Sequence, residues 1–266
     1  MPKSRGRRKE PNRVRRQTRP TLSPAGLLPI ARRSADPVNL AADIAPGITA
    51  RVARAADLDR FHDLVRLTGT TADDYLLEML RSPALSTAVL AGAEHGHDQF
   101  RLELAKCMSG SETLELAALA TALPLVAVTA DDEIVGALLA YSPPNVIEQF
   151  LNSRRLASKK DNMMMFAGAI MSLVKLRALA VDSAWRGRGI GAGLLTRFQD
   201  VYLACRYFYL YGQFRTADAG LADFYSSHGF TILPPGEGLD LYIVFGVSGG
   251  VKPEPGEQIF YYRRAD

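Results

Sequence analysis

Cysteine is scarce in this chain. Cys107 and Cys205 are the only two, and two thiols so far apart make no disulfide framework, so a reducing compartment is expected and the protein reads as cytoplasmic. Long apolar runs are lacking too. The best candidate, "MMMFAGAIMSLV", has 12 residues before it meets Lys175 and Arg177, against the ~20 that a membrane-spanning helix needs. No membrane partner is expected. No secretory signal is expected, because the apolar part of "TLSPAGLLPIARRS" is too short. Acid is nearly absent from the first 20 residues, which hold nine Lys/Arg and one acid, Glu10. That bias resembles a transit peptide, but Pro2, Pro11 and Pro20 oppose the amphipathic helix one requires. Histidine is also sparse. The "HGHD" stretch (His95, His97, Asp98) has no further Cys/His set nearby and reads as a polar loop, so no metal is expected.

What remains is an ordinary globular composition, 47% hydrophobic and 23% charged over 266 residues. Length alone allows one large domain or two small ones. Residues 1–20 carry a net +8 against +4 for the whole chain, leaving −4 for residues 21–266. The basic character therefore belongs to a tail. Residues 1–45 are rich in Arg, Pro, Ser and Ala without sustained period and read as a disordered basic tail; residues 46–266 read as the folded domain.

Periodicity outlines that domain. A short strand is expected at Ile48–Val52, followed by a helix with Leu58, Phe61, Leu64, Val65 and Leu67 as an apolar stripe. Residues 71–122 read as two or three helices with a break near "AGAEHGHD". A hairpin follows: strand Leu125–Val128, turn at Asp131–Asp132, strand Ile134–Tyr141. "NVIEQFLNSRRLASKKDN" reads as helical. "SLVKLRALAV" is a strand, "GAGLLTRFQDVYLACR" a helix and "YFYLYGQF" an aromatic strand. "ADAGLADFYSSHGF" is a helix that ends at a C-cap glycine, Gly229. Two final strands are expected in "LDLYIVFGV" and "QIFYYRR". Such mixed elements form an α/β or α+β layer around one sheet.

The stretch "RGRGIGAG", residues 186–193, carries the chemistry. Glycines at the front of a helix leave bare backbone N–H groups that approach a phosphate closely. One reading is a dinucleotide loop, since Gly187-x-Gly189-x-x-Ala192 fits that pattern by letter. Context opposes it. "DSAWR" separates the strand from the glycines, and only 73 residues follow Gly193.

The longer segment "LRALAVDSAWRGRGIGAGLLTRF" resembles the acetyl-CoA-binding motif of the GNAT family of N-acetyltransferases. The family's Arg/Gln-x-x-Gly-x-Gly/Ala matches Arg186, Gly189 and Gly191. "FYSSHGF" then resembles the family's Tyr-x-x-x-Gly-Phe segment. The likeness covers about residues 125–231 and reaches back toward residue 48. It implies an acyl-CoA N-acyltransferase fold: a mixed, mostly antiparallel sheet flanked by helices, here with helical insertions. The reaction implied is acetyl transfer from acetyl-CoA to an amine of a small molecule or a protein. By that resemblance Arg186, Gly187, Arg188, Gly189, Ile190, Gly191 and Ala192 cradle the pyrophosphate, and Leu179, Ala180 and Val181 pair with the pantetheine arm. Tyr225 is the matching general acid, protonating the departing thiolate.

Two departures stand out. Some relatives carry a basic carboxylate on the strand before the loop; here that strand has Lys175 and Arg177 and no acid. Asp73, Asp74, Glu78 and Asp182 are the remaining acids considered, and the general base is left unassigned. Asp218 stands where many relatives have Asn, and an ionised Asp donates no hydrogen bond to a cofactor. Segments 71–122 and 145–172 flank the acceptor's expected entrance and read as a pocket wall or as the interface of a homodimer. The basic "SRRLASKK" (Arg154, Arg155, Lys159, Lys160) reads as a solvated helix face or an attractor of acidic partners. The acidic net charge of the folded part mildly favours a cationic acceptor. The tail reads equally as an inert arm or as a weak nonspecific nucleic-acid contact, residues 1–20 lacking aromatics for base stacking. The alternative function is a non-catalytic module of this fold that binds nucleic acid or ribosome through the tail.

Overall fold

The computed structural model describes residues 37–69, 74–109, 113–153, 159–246 and 249–264. Residues 1–36 of the expected tail lie outside them, while Asp43–Ala45 form the first strand, β1. The strands continue as β2 (Ile48–Val52), β3 (Leu123–Val128), β4 (Ile134–Tyr141), β5 (Leu173–Val181), β6 (Tyr209–Arg215), β7 (Thr231–Ile232), β8 (Leu239–Asp240), β9 (Gly250–Val251) and β10 (Glu257–Arg263). The helices are α1 (Leu58–Arg66), α2 (Asp74–Arg81), α3 (Thr87–His95), α4 (His97–Cys107), α5 (Thr113–Thr121), α6 (Pro144–Ser153), α7 (Lys159–Ile170), α8 (Ile190–Ala204), α9 (Leu221–Ser227) and α10 (Tyr242–Phe245).

Among the described residues eight strands form one sheet in the order β1-β2-β3-β4-β5-β6-β10-β7. Every neighbouring pair is antiparallel except β5 and β6. That exception has a covalent cause: α8 is the crossover that lets two parallel strands sit side by side. The sheet is therefore mixed and mostly antiparallel, as expected. Strands β3 and β4 are buried almost throughout, with "LPLVAV" fully enclosed. They are central and covered on both faces.

The core divides by face. Leu104, Leu123, Leu125, Leu138, Val174, Leu194, Phe198 and Tyr202 pack on the side of α3, α4, α5 and α8. Phe61, Leu64, Val65, Met79, Val126, Ala137, Ala178 and Ala180 pack on the side of α1 and α2. Within the first cluster Tyr202 donates its hydroxyl to the Thr121 carbonyl at 2.7 Å, so the buried phenol is satisfied. Both cysteines are free, and burial pushes the Cys205 thiol well up, so it behaves as a core residue.

Three expectations change. Leu67 caps α1 and is exposed, so the buried apolar stripe of that helix ends at Val65. Among the described residues the insertion before β3 holds four helices, α2 to α5, with the break between α3 and α4 at Gly96 (φ 88°). "LDLYIVFGV" is not one strand. Asp240 Oδ1 accepts from the Tyr242 amide at 2.9 Å and starts α10 after only two strand residues. A side chain that bonds its own backbone two residues on offers the chain an alternative to the ladder.

Candidate active site

The parallel pair is short. β5 has nine residues, but it pairs with β6 only from Leu173↔Tyr209 to Leu176↔Gly212. Beyond Leu176, residues 178–181 keep β4 as partner and lose β6, so the strands part. The register between β4 and β5 also shifts there, from Leu139↔Ala178 to Ala140↔Leu176, which leaves Arg177 as the extra residue of a bulge. The bulge turns the strand over. Val174 and Leu176 pack in the α8-side core, whereas Ala178 and Ala180 pack against α1. Leu179 and Val181 consequently face α8, half-buried. The backbone edge predicted from sequence at Leu179, Ala180 and Val181 is thus the edge that the parting of the strands leaves without a strand partner.

After Val181 the chain is pinned. The Asp182 amide donates to the Val135 carbonyl at 2.9 Å, and its Oδ1 accepts from the Ala184 amide at 2.9 Å. Arg60 of α1 donates to Asp182 Oδ2, and these bonds hold the carboxyl below its usual range. Asp182 is a structural anchor of the turn. The Arg186 Nε donates to the Val181 carbonyl at 3.1 Å, and the Arg188 guanidinium stacks over Trp185 at 4.6 Å. Both arginines remain exposed at the loop.

Gly187 and Gly189 take φ of 75° and 81°, the left-handed region that favours glycine. Gly189 is the N-cap of α8, and the first backbone bond into the helix runs from the Gly193 amide to the Gly189 carbonyl at 2.9 Å. The amides of Ile190, Gly191 and Ala192 are therefore the unsatisfied donors of a helix start, at the positive end of a 15-residue helix. Gly193 has a different duty. A Cβ there would stand 2.3 Å from the Ile44 carbonyl, so its absence lets β1 lie against α8. Beside the loop an open hollow of about 310 Å³ is lined by Asp43, Ile44, Gly189, Ala192, Thr196 and Arg197.

Tyr225 sits on α9, whose C-terminus closes as the sequence predicts. Gly229 (φ 84°) lets the Phe230 amide reach the Tyr225 carbonyl at 3.1 Å and its own amide reach Ser226 at 3.0 Å. The Tyr225 ring stacks face to face on Phe260, with centroids 3.7 Å apart and planes at 11°, and Phe214 and Phe230 flank it. Phe260 pairs with Gly212 in register, and Gly212 pairs with Leu176, the residue where β5 and β6 part. Tyr225 thus stands level with the parting, on its α8–α9 face. The neighbouring Phe224 ring comes near Gly191 of the glycine loop, its Cζ 3.9 Å from where a Cβ there would stand. Burial pushes the Tyr225 hydroxyl up.

The other sequence candidates do not converge here. Asp73 lies outside the described residues, Asp74 opens α2, and Glu78 is exposed on the same helix. Asp218 forms a bidentate pair with Arg215, Nε to Oδ2 and Nη2 to Oδ1 both at 3.0 Å. Its charge is answered within its own turn. Arg154 and Arg155 lie outside the described residues, and Lys159 and Lys160 begin α7. Among the described residues no three His, Cys, Asp or Glu gather as a metal site, and none of the helices is long and apolar enough to cross a membrane.

Sequence reasoning undervalued one side chain. Lys175, on β5, faces Tyr141 and Tyr211 across its two neighbours and donates to Gln213 Oε1 at 2.6 Å. Burial, helped by Arg177, lowers its ammonium to about 8. The visible signal was a lysine inside an otherwise apolar strand, "LVKLRALAV".

Comparison with known proteins follows the same segment. Residues 125–232 match the family model described as an acetyltransferase (GNAT) domain. No curated protein matches the chain in sequence. Among solved structures, Ard1 from Thermoplasma volcanium is 14% identical, with 83% of this chain and 99% of that one covered and a TM-score of 0.43. The yncA protein from Salmonella typhimurium, solved with its cofactor acetyl-CoA, is 14% identical over 82% and 95% of the two chains, with a TM-score of 0.40. The GNAT domain of PAT from S. lividans is 9% identical over 82% and 90%, with a TM-score of 0.45.

Proposed function

Because residues 125–232 are a domain of the GNAT acetyltransferase family, we propose that this protein is an acetyl-CoA-dependent N-acetyltransferase acting on an amine of a small molecule or protein. One observation carries the reading: the unsatisfied amides of Ile190, Gly191 and Ala192 open α8 directly beside the parting of β5 and β6. A pyrophosphate belongs at the first feature and an amide-bearing arm at the second. Acetyl-CoA supplies an activated thioester.

In this reading the loop Arg186 to Ala192 holds the phosphates, with Arg186 and Arg188 adding charge. The free edge of Leu179, Ala180 and Val181 bonds the pantetheine amides and supplies an N–H to the carbonyl oxygen that gains charge. The neutral amine forms its bond to the acetyl carbon as the carbon–sulfur bond breaks. Tyr225 gives the thiolate its proton and regains one from solvent, which receives the amine's surplus proton, and no metal takes part. The protein works in the cytoplasm, as a single enzyme or a homodimer.

Thermal unfolding of the full chain with acetyl-CoA, CoA and NAD in parallel tests the reading. A ligand at about 100 times its Kd adds roughly 2.7 kcal/mol, about 5–10 °C for a domain of this size. Acetyl-CoA and CoA are expected to raise Tm and NAD to leave it unchanged. A chain blind to all three, yet binding RNA through residues 1–20, would replace the enzyme by the non-catalytic module.

A further inference from the structure

We propose, resting on the acetyltransferase reading, that Lys175 and Gln213 bind the carboxylate of an acceptor that carries one close to its amine, an α-amino acid being the simplest case. The placement comes first. Lys175 lies one residue before the last β5–β6 pair, Leu176↔Gly212. Its side chain belongs to the face opposite Val174 and Leu176, hence opposite the face that Tyr225, Phe214 and Phe260 fill. On that opposite face Gln213 reaches from Lys175 toward the Lys252 carbonyl at 3.4 Å, so the pair stands at the mouth of the parting. Arg177, where the strands have parted, is two residues on, about 7 Å along the strand. That span is short enough for one small acceptor to present its amine at the parting and its carboxylate at Lys175.

The chemistry comes second. Lys175 is largely buried, and among the described residues no carboxylate lies within 4 Å of it. Its partners are a neutral amide, Gln213, and the Tyr211 ring at 5.9 Å. Glu254 and Glu257 act on it only at longer range, and Arg177 opposes its charge. An ammonium has three N–H groups to place, and one of them goes to Gln213. A buried cation with unused donors is costly to keep unless something completes it. Tyr211 adds an independent sign: its hydroxyl is fully enclosed and has no hydrogen-bond partner, with Tyr141 and Arg177 near enough to affect it. Two cations, an idle phenol and a positioned amide together suit an anion. This local charge is opposite to what the acidic net charge of the folded part favours, and at contact distance the local groups dominate a screened surface field.

The test uses the full chain with two acceptors that differ only in the carboxylate, phenylalanine and phenethylamine, chosen because tyrosines border the site. At saturating acetyl-CoA the wild type is expected to favour phenylalanine in kcat/KM by roughly ten- to a hundredfold, the worth of one charged hydrogen bond. Lys175→Met and Lys175→Gln should raise KM for phenylalanine by that factor and bring the two acceptors within a few-fold of each other. Lys175→Arg should restore part of the preference. Titration of N-acetylphenylalanine and N-acetylphenethylamine into the CoA-loaded chain reads the same selectivity without turnover. A wild type that prefers phenethylamine, a Met variant that keeps the preference, or CoA-loaded protein indifferent to the carboxylate would each overturn the assignment. Acetyl-CoA binding in those samples separates the two ideas: its absence sinks the enzyme reading itself, whereas its presence with carboxylate-blind acceptors sinks Lys175 alone.

Discussion

Tyr225 and Gly212 are coupled through one ring. A Cβ on Gly212 would stand 2.3 Å from Phe260 Cζ, so the Phe260 ring occupies the space a side chain would take. Tyr225 then stacks on Phe260 at 3.7 Å. The glycine of β6 therefore sets where the phenol of α9 stands relative to the parted strands.

Tyr225→Phe keeps that stack and removes only the hydroxyl. The expected outcome is a fall of ~10²–10⁴ in kcat, with Kd for acetyl-CoA and Tm nearly unchanged. Tyr225→Ala should instead destabilise the chain by about 3–5 kcal/mol, as large core truncations do. Steady-state kinetics and calorimetric unfolding on both variants separate the proton from the packing.

Gly189→Ala and Gly193→Ala should fail for different reasons. At Gly189 there is open space but φ is 81°, so alanine costs about 1–2 kcal/mol of backbone strain and re-aims the helix-start amides. Weaker CoA binding with a modest Tm loss is expected. At Gly193 the new Cβ meets the Ile44 carbonyl at 2.3 Å, so β1 must move. The larger effect there falls on Tm, and CoA titration measured beside Tm distinguishes the two variants.

Lys175 gives stability a pH signature. Its folded ammonium, at about 8, lies below its ordinary value of 10.5 through burial and Arg177, with Glu254 and Glu257 pulling weakly the other way. Gln213 and the Tyr211 ring are the uncharged groups beside it. Between pH 8 and 10.5 the unfolded chain binds more protons here than the folded one, so this site's contribution makes stability rise with pH across that window. The full swing is on the order of 3 kcal/mol. At pH 7 Lys175→Met removes the buried charge and should raise Tm by a few degrees, less what the orphaned Gln213 oxygen costs. A Tm that falls sharply instead would contradict a strained, uncompensated ammonium.

The Arg51–Asp57 pair predicts the acid limb. Arg51 Nη1 meets Asp57 Oδ2 at 2.5 Å, and the Arg54 amide donates to the same oxygen at 2.6 Å. Burial raises the Asp57 carboxyl, but the bonds from Arg51 and the Arg54 amide outweigh it and the net shift is downward. A carboxyl lowered on folding contributes stability that is present above its unfolded value and is lost as pH falls through the folded one. Asp57→Asn should cost about 2–3 kcal/mol at neutral pH and flatten the acid limb of a Tm-against-pH curve.

Much of the molecule is legible in the sequence because its signals are local. Ile48–Val52 and Ile134–Tyr141 are strands at the bounds read from alternation and turn residues. Gly229 closes α9 because a helix that ends must answer its last carbonyls. Gly187 and Gly189 announce a left-handed loop before α8, since few other residues tolerate that backbone. Local rules failed at Asp240, whose side chain ended a run of strand-forming residues by bonding the Tyr242 amide.

The tertiary structure decided what the residues do together. Nothing in "LVKLRALAV" says that β6 leaves after Leu176, or that an extra residue at Arg177 turns Ala178 and Ala180 toward α1. No spacing rule joins Lys175 to Gln213, or Gly212 to Phe260 and through it to Tyr225. Those links cross strands far apart in the chain. The sequence by itself determined where a helix begins, where a turn needs glycine and which faces are apolar, because these follow from each residue and its near neighbours. Which buried charge stays unanswered and which edge stays open follow from the register between distant strands, and only the packed fold sets that.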